Sequence, residues 1–204
     1  MLVAEKVLIR QLGRVEYHSA LEAMREFTAR RAAGTPDELW LLEHPPVYTL
    51  GLAADAAHGP RAGGIPVVQV ERGGEITYHG PGQAVLYTLV DLARRGIKVK
   101  QFVAMLEQSV IELLGDRAER IPGAPGIYVA GAKVAALGIR VSRGCAYHGL
   151  ALNVDMDLTP FSAIDPCGYP GMRVTQTRDL GMEESREVLG EKLARILAGK
   201  LEDA

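Results

Sequence analysis

Three stretches of the chain hold residue types that could do chemistry together. In Asp165-Pro166-Cys167-Gly168-Tyr169 a cysteine stands between proline and glycine, a loop setting that would offer its sulfur to a substrate. The thiolate is the nucleophile, and a free thiol has a pKa of ~8.5, so Cys167 would need a basic or cationic neighbour. A small buried hydrophobe is the ordinary alternative for a lone cysteine. Cys145, in Arg143-Gly144-Cys145-Ala146-Tyr147, fits packing as well as chemistry.

The second stretch is Gly131-Ala132-Lys133-Val134-Ala135-Ala136-Leu137-Gly138. Here a lysine lies among small apolar residues in a strand region. Desolvation would favour its neutral amine, although a lysine that snorkels to solvent fits the same pattern. The third stretch runs from Arg72 to Gln83 and opens on Arg72-Gly73-Gly74. Paired glycines beside an arginine let backbone amides face a ligand, while a β-bulge with a surface arginine fits equally well. His79 and His148 sit in glycine-rich segments and are pocket candidates. His18, His44 and His58 read as structural or solvent-facing. There is no GxSxG elbow, no phosphate-binding GxxxxGK[ST] loop, and no HExxH metal spacing. Neither cysteine is in a CxxC pair, which argues against a thiolate zinc site.

Positioning these groups calls for a full hydrophobic core, and 204 residues with 48% hydrophobic and 24% charged positions can build one. The formal net charge of −2 gives no reason to expect nucleic-acid or membrane binding. Early charges in the N-terminal segment do not suit a signal peptide, and no apolar run reaches the ~18 residues of a membrane span. The expectation is a cytoplasmic protein with reduced thiols.

Hydrophobic spacing predicts strands at 7–12, 38–42, 65–70 (broken at Gly73-Gly74 and resumed at 75–78), 83–90, 127–129, 133–141 and 146–154. It predicts helices at 17–31, 100–114 and 183–198. Residues 53–64 read as an exposed loop, and 157–172 as a structured loop. The order predicts an α/β fold in one domain over residues 1–204, with a mixed, largely antiparallel sheet and packed helices. Arg94 to Lys100 is the densest basic stretch and a candidate docking surface for an acidic partner, or else a solvated loop.

Taken together, the segments resemble the lipoyl(octanoyl) transferases of lipoate biosynthesis. The matching pieces are HPPVYTLG at His44–Gly51, RGGEITYHGPGQ at Arg72–Gln83, GAKVAALGIRVSRG at Gly131–Gly144, YHGLALNVDMDL at Tyr147–Leu158 and IDPCG at Ile164–Gly168. The resemblance implies a fold like the catalytic domains of lipoate and biotin protein ligases, with Cys167 as nucleophile and Lys133 as the residue that lowers its pKa and moves protons. It also implies acyl-binding roles for Arg72, Gly73, Gly74, Glu75, Ile76, Thr77, Tyr78 and His79, for Ala136, Leu137 and Gly138, and for Gly149, Leu150 and Ala151. The implied donor is acyl carrier protein. The implied acceptors are lipoyl domains of 2-oxoacid dehydrogenase complexes and the glycine cleavage H protein. The enzyme would work as a monomer with no cofactor and no metal. Amides near Gly149 or Gly168 would hold the oxyanion. The main rival is an ATP-dependent lipoate ligase, which would form an adenylate instead of a thioester. A non-enzymatic acyl-binding module and a relay between two carriers are further alternatives.

Overall fold

Alternating apolar residues build a large sheet whose central strands are covered on both faces. A computed structural model of the chain describes residues 6–55, 59–61, 63–165 and 171–204. The strands are β1 (Leu8–Arg14), β2 (Glu38–Glu43), β3 (Val47–Leu50), β4 (Val67–Gln69), β5 (Ile76–His79), β6 (Gln83–Asp91), β7 (Ala118–Ile121), β8 (Ala124–Val129), β9 (Ala132–Ser142) and β10 (Cys145–Asn153). The helices are α1 (Tyr17–Arg30), the single turn α2 (Leu92–Arg95), α3 (Val99–Leu114) and α4 (Arg186–Glu202). Seven strands form one sheet in the order β1-β2-β6-β10-β9-β8-β7. Among its described strands only β1 and β2 pair in parallel. This is the mixed, largely antiparallel α/β domain that the sequence predicts.

Side-chain alternation sorts the two faces. Leu39 and Leu41 of β2, Ala84 and Leu86 of β6, and Leu150 and Leu152 of β10 pack with α3 and α4. Trp40, Val85, Tyr87 and Ala151 pack on the other face against Tyr17, Leu21 and Met24 of α1. Because both faces are buried, β2 and β6 read as continuous apolar runs. The hairpins β8–β9 and β9–β10 turn on two residues each, with φ values of 49° and 72° at Ala130 and Gly131 and of 50° and 80° at Arg143 and Gly144. Two consecutive positive φ values match the right-handed twist of the flanking strands. None of the helices among the described residues is long and apolar enough to cross a membrane.

Three local expectations need correction. The residues before and after Gly73-Gly74 do not form one resumed strand. Strands β4 and β5 flank β3 in a separate three-stranded sheet, β4 parallel to it and β5 antiparallel. Strand β3, directly after the His44-Pro45-Pro46 turn, and the edge strand β7, with exposed Glu119 and Arg120, are not among the predicted strands. Helix α4 begins later and ends later than 183–198. The Ser185 hydroxyl accepts from the Val188 amide at its start, and Leu201 extends the buried Leu193 and Leu197 row past Gly199. Helical spacing puts Val188 on the apolar side with Leu189, Leu193 and Leu197, yet it is exposed.

Candidate active site

The small sheet and the loop before β5 lean on the α1-side face of the large sheet, and a cavity of about 230 Å³ lies between them. Lys133 reaches it through an irregularity. The β8–β9 register slips between Ile127 and Tyr128, so β9 carries one extra residue. Val134 and Ala135 are neighbours in sequence, yet both pack in the core beneath α3 and α4. Strict alternation would send one of them the other way, and the bulge absorbs the mismatch. Bulges re-aim side chains in this manner, and here the result is Lys133 in the cavity wall. Lys133 is 3% exposed. Its Nζ donates to the Pro125 carbonyl at 3.0 Å and lies 5.2 Å from the Tyr128 ring centroid. Its backbone amide and carbonyl bond the 173–175 segment. Gly126 leaves room for it, because a Cβ there would meet the lysine Cε at 3.0 Å.

The loop from Arg72 to Glu75 forms a second wall. Arg72 is buried, and its guanidinium donates to the Thr49 carbonyl at 2.7 Å and to the Thr49 hydroxyl at 2.9 Å. The Gly73 amide donates to Ile139 of β9 at 3.0 Å. The loop lies this close because Gly51 and Gly138 have no side chains. A Cβ at Gly51 would come within 2.2 Å of the Gly74 oxygen, and one at Gly138 within 2.6 Å of the Gly73 oxygen.

Arg72, Gly74, Glu75, Ile76, Thr77 and His79 line the cavity, as do Ala136, Leu137, Gly138, Gly149, Leu150 and Ala151. Gly73 and Tyr78 are not in the wall. Tyr78 packs instead between Tyr48 and Phe161. Cys167, with Gly168, lies outside the described residues. Two positions earlier, buried Asp165 pairs with Arg61. Tyr17, Tyr87, Asn153 and Phe161 also line the cavity and were not picked out from sequence. Tyr87 and Asn153 had a usable signal, since Val85 and Tyr87 of β6, and Gly149, Ala151 and Asn153 of β10, fall on one face by period-two alternation. Among the described residues no three His, Cys, Asp or Glu side chains converge closely enough to hold a metal ion.

A buried polar chain joins the walls. Arg72 donates to Thr49, whose hydroxyl lies 3.5 Å from His79 Nε2. His79 Nδ1 is 2.7 Å from the Gln83 amide oxygen, and Gln83 donates to Asn153. Asn153 donates to the Thr175 carbonyl, beside the backbone of Lys133. Nearby, His44 Nδ1 faces the Val15 carbonyl at 2.6 Å and must donate to it, so its Nε2 accepts from the Tyr87 hydroxyl at 2.8 Å.

Burial holds three imidazoles neutral, with His44 and His148 pushed down to about 4 and His79 to about 3. An unfolded chain takes up these protons as pH falls through about 6.5. The folded chain does so only near 3 to 4. The stability they contribute is therefore complete above pH 6.5 and drains away between there and pH 4. Denaturant midpoints at about pH 7.5 and about pH 5 should differ by several kcal/mol in unfolding free energy. Equal midpoints would show that the imidazoles are charged in the folded protein.

The basic stretch does not present a docking face as a whole. Arg94 and Arg95 turn inward to the buried carboxylate of Asp37, while Lys98 and Lys100 remain exposed.

A family model for the lipoyl protein ligase A/B catalytic domain matches residues 16–197. The octanoyltransferase of Thiobacillus denitrificans is 60% identical over 198 residues, covering 94% of this chain and 91% of that protein. Among solved structures, lipoate-protein ligase A bound with ATP superimposes with a TM-score of 0.77 at 16% identity, over 96% of this chain and 85% of that one. The biotin protein ligase of Aquifex aeolicus in complex with biotin and ATP gives 0.58 at 15% identity, over 95% and 70%. At such identities the structures speak for the fold, whereas the sequence relatives speak for the family. The chain belongs to the lipoyl protein ligase A/B catalytic domain family and, within it, groups with the octanoyltransferases, which makes it an acyltransferase.

Proposed function

We propose that the chain transfers an octanoyl or lipoyl group from acyl carrier protein to a lysine of a lipoyl domain, by way of a thioester on Cys167. The observation that carries this reading is a buried lysine in the wall of a cavity otherwise built largely from apolar side chains and glycine backbone. In the first half-reaction the Cys167 sulfur attacks the carrier thioester. The old C–S bond breaks, a new one forms on Cys167, and the carrier leaves as a thiol. Lys133 takes the Cys167 proton and passes it to the departing sulfur. In the second half the acceptor lysine nitrogen attacks, the amide forms, and Cys167 returns as a thiol. The acceptor's free pKa is ~10.4, so it must lose a proton on the way, and Lys133 is the proposed base. Arg72, Gly74 to Thr77, His79, Ala136 to Gly138 and Gly149 to Ala151 are the proposed walls for the acyl chain, each buried methylene contributing ~0.8 kcal/mol.

Its proposed acceptors are the lipoyl domains of 2-oxoacid dehydrogenases and the glycine cleavage H protein. It would act in the cytoplasm as a single catalytic domain over residues 1–204. Thioester exchange is close to isoenergetic, so no nucleotide is required. Incubating the chain with octanoyl-carrier and a lipoyl domain, without ATP, should give the octanoylated lysine. A strict need for ATP with free octanoate would assign the chain to ligase chemistry instead.

A further inference from the structure

His148 departs from the strand it belongs to. Along β10, Ala146, Leu150 and Leu152 point to the α3 and α4 side, and by alternation His148 should join them. Its ring instead stacks on Tyr147 at 5.1 Å and meets Tyr87 edge-on at 6.1 Å, and both tyrosines belong to the opposite face. The backbone explains the reversal. His148 has φ 62°, a left-handed conformation that is strained for a residue with a Cβ. The conformation is fixed by the Thr88 hydroxyl, which donates to the His148 carbonyl at 2.9 Å. The Tyr147 ring is held in turn by its hydroxyl bond to Glu71 at 3.0 Å. Strain here brings an imidazole into the cavity wall, 2% exposed, with Nε2 lacking a hydrogen-bond partner among the described residues. A buried polar atom without a partner in a native cavity calls for an explanation.

Its place along the cavity suggests one. His148 pairs with Ile139, six positions along β9 from Lys133, or five regular steps once the extra residue of the bulge is set aside, roughly 16 Å between backbones at ~3.3 Å per residue. Lys133 and His148 therefore mark opposite ends.

We infer that His148 reads the tail of the acyl group, its ring nitrogen bonding a polar atom carried at the far end of the chain. This deepens the acyl-transfer reading and rests on it. A plain eight-carbon tail leaves room for a water at Nε2. A longer aliphatic tail displaces that water and strands the nitrogen. A tail with a hydroxyl, or with sulfur as a weaker acceptor, replaces the water's bond. His148 thus selects tail chemistry as well as length, and the class of ligand it favours is a medium-chain acyl group with a hydrogen-bonding atom at its end.

The test compares kcat/KM for carrier loaded with octanoyl and with 8-hydroxyoctanoyl, using the full chain. Wild type should transfer the two within about tenfold of each other. His148→Phe, which keeps the ring stack but removes the nitrogens, should lower the hydroxyoctanoyl-to-octanoyl ratio about tenfold. His148→Asn, which tolerates the left-handed backbone and keeps a polar group, should recover part of it. A purely steric role would shift the chain-length profile and leave this ratio at fixed length unmoved, which overturns the inference. Rejection of hydroxyoctanoyl by wild type more than about a hundredfold overturns it without any variant. Failure of wild type to transfer octanoyl at all strikes the acyl-transfer reading instead.

Discussion

Lys133→Ala should lower octanoyl transfer by about 10²- to 10⁴-fold, the usual range for losing a positioned proton-transfer group. Both half-reactions should slow, because each moves a proton at the same place. The effect should appear in single-turnover acylation of the enzyme as well as in delivery to the lipoyl domain. Misfolding would not be the cause. Among the described residues the lysine Nζ donates to the Pro125 carbonyl, and its backbone bonds to the 173–175 segment do not depend on the side chain. Rapid acylation by the variant, with only delivery slowed, would remove Lys133 from the first step.

The largest expected effect on stability lies away from the cavity, at Asp37. Its carboxylate is 1% exposed and pairs with Arg31, with Arg94 at 3.1 Å and with Arg95 at 2.6 Å. It also accepts from the Asp91 amide at 2.8 Å. The cluster ties the start of β2 to the end of α1 and to α2, and Arg95 bonds the Leu201 carbonyl in α4. Asp37→Ala leaves buried guanidinium charge without its counterion, which costs about 3–5 kcal/mol. Denaturant unfolding would read this directly. A loss under about 1 kcal/mol would mean that the pairs behave like solvent-screened surface bridges.

Much of the architecture was legible in the sequence because burial on one or both faces imposes a simple period. Helices α1 and α3 end within a residue or two of their predicted limits, since Tyr17, Ala20, Leu21 and Met24, or Phe102, Leu106 and Val110, recur at helical steps into a packed face. The small sheet was hard to see for a physical reason. β3 and β4 are only four and three residues long, too short for alternation to show. The placement of Lys133 was not legible either. A strand lysine among small residues fits a solvent-facing position as well as a buried one, and the bulge that decides between them comes from the β8–β9 register. His148 was legible as a pocket candidate from its glycine-rich segment and lines the cavity, but how it gets there was not, because a left-handed backbone in mid-strand leaves no mark in hydrophobic spacing. The grouping of distant motifs around one cavity followed from topology. Hydrogen bonding of β9 to β10 sets Ala136 opposite Ala151 and Gly138 opposite Gly149, and the Gly73 amide bond to Ile139 brings the third segment over them.

The central claim is that the acyl group rests on Cys167 between donor and acceptor, and intact mass tests it most directly. Purified wild type and Cys167→Ser are incubated with octanoyl-carrier in the absence of ATP. The account predicts a gain of one octanoyl group on wild type alone, cleared when a lipoyl domain is added. An unmodified wild type that still octanoylates the lipoyl domain, or an adduct that persists in Cys167→Ser, would contradict it.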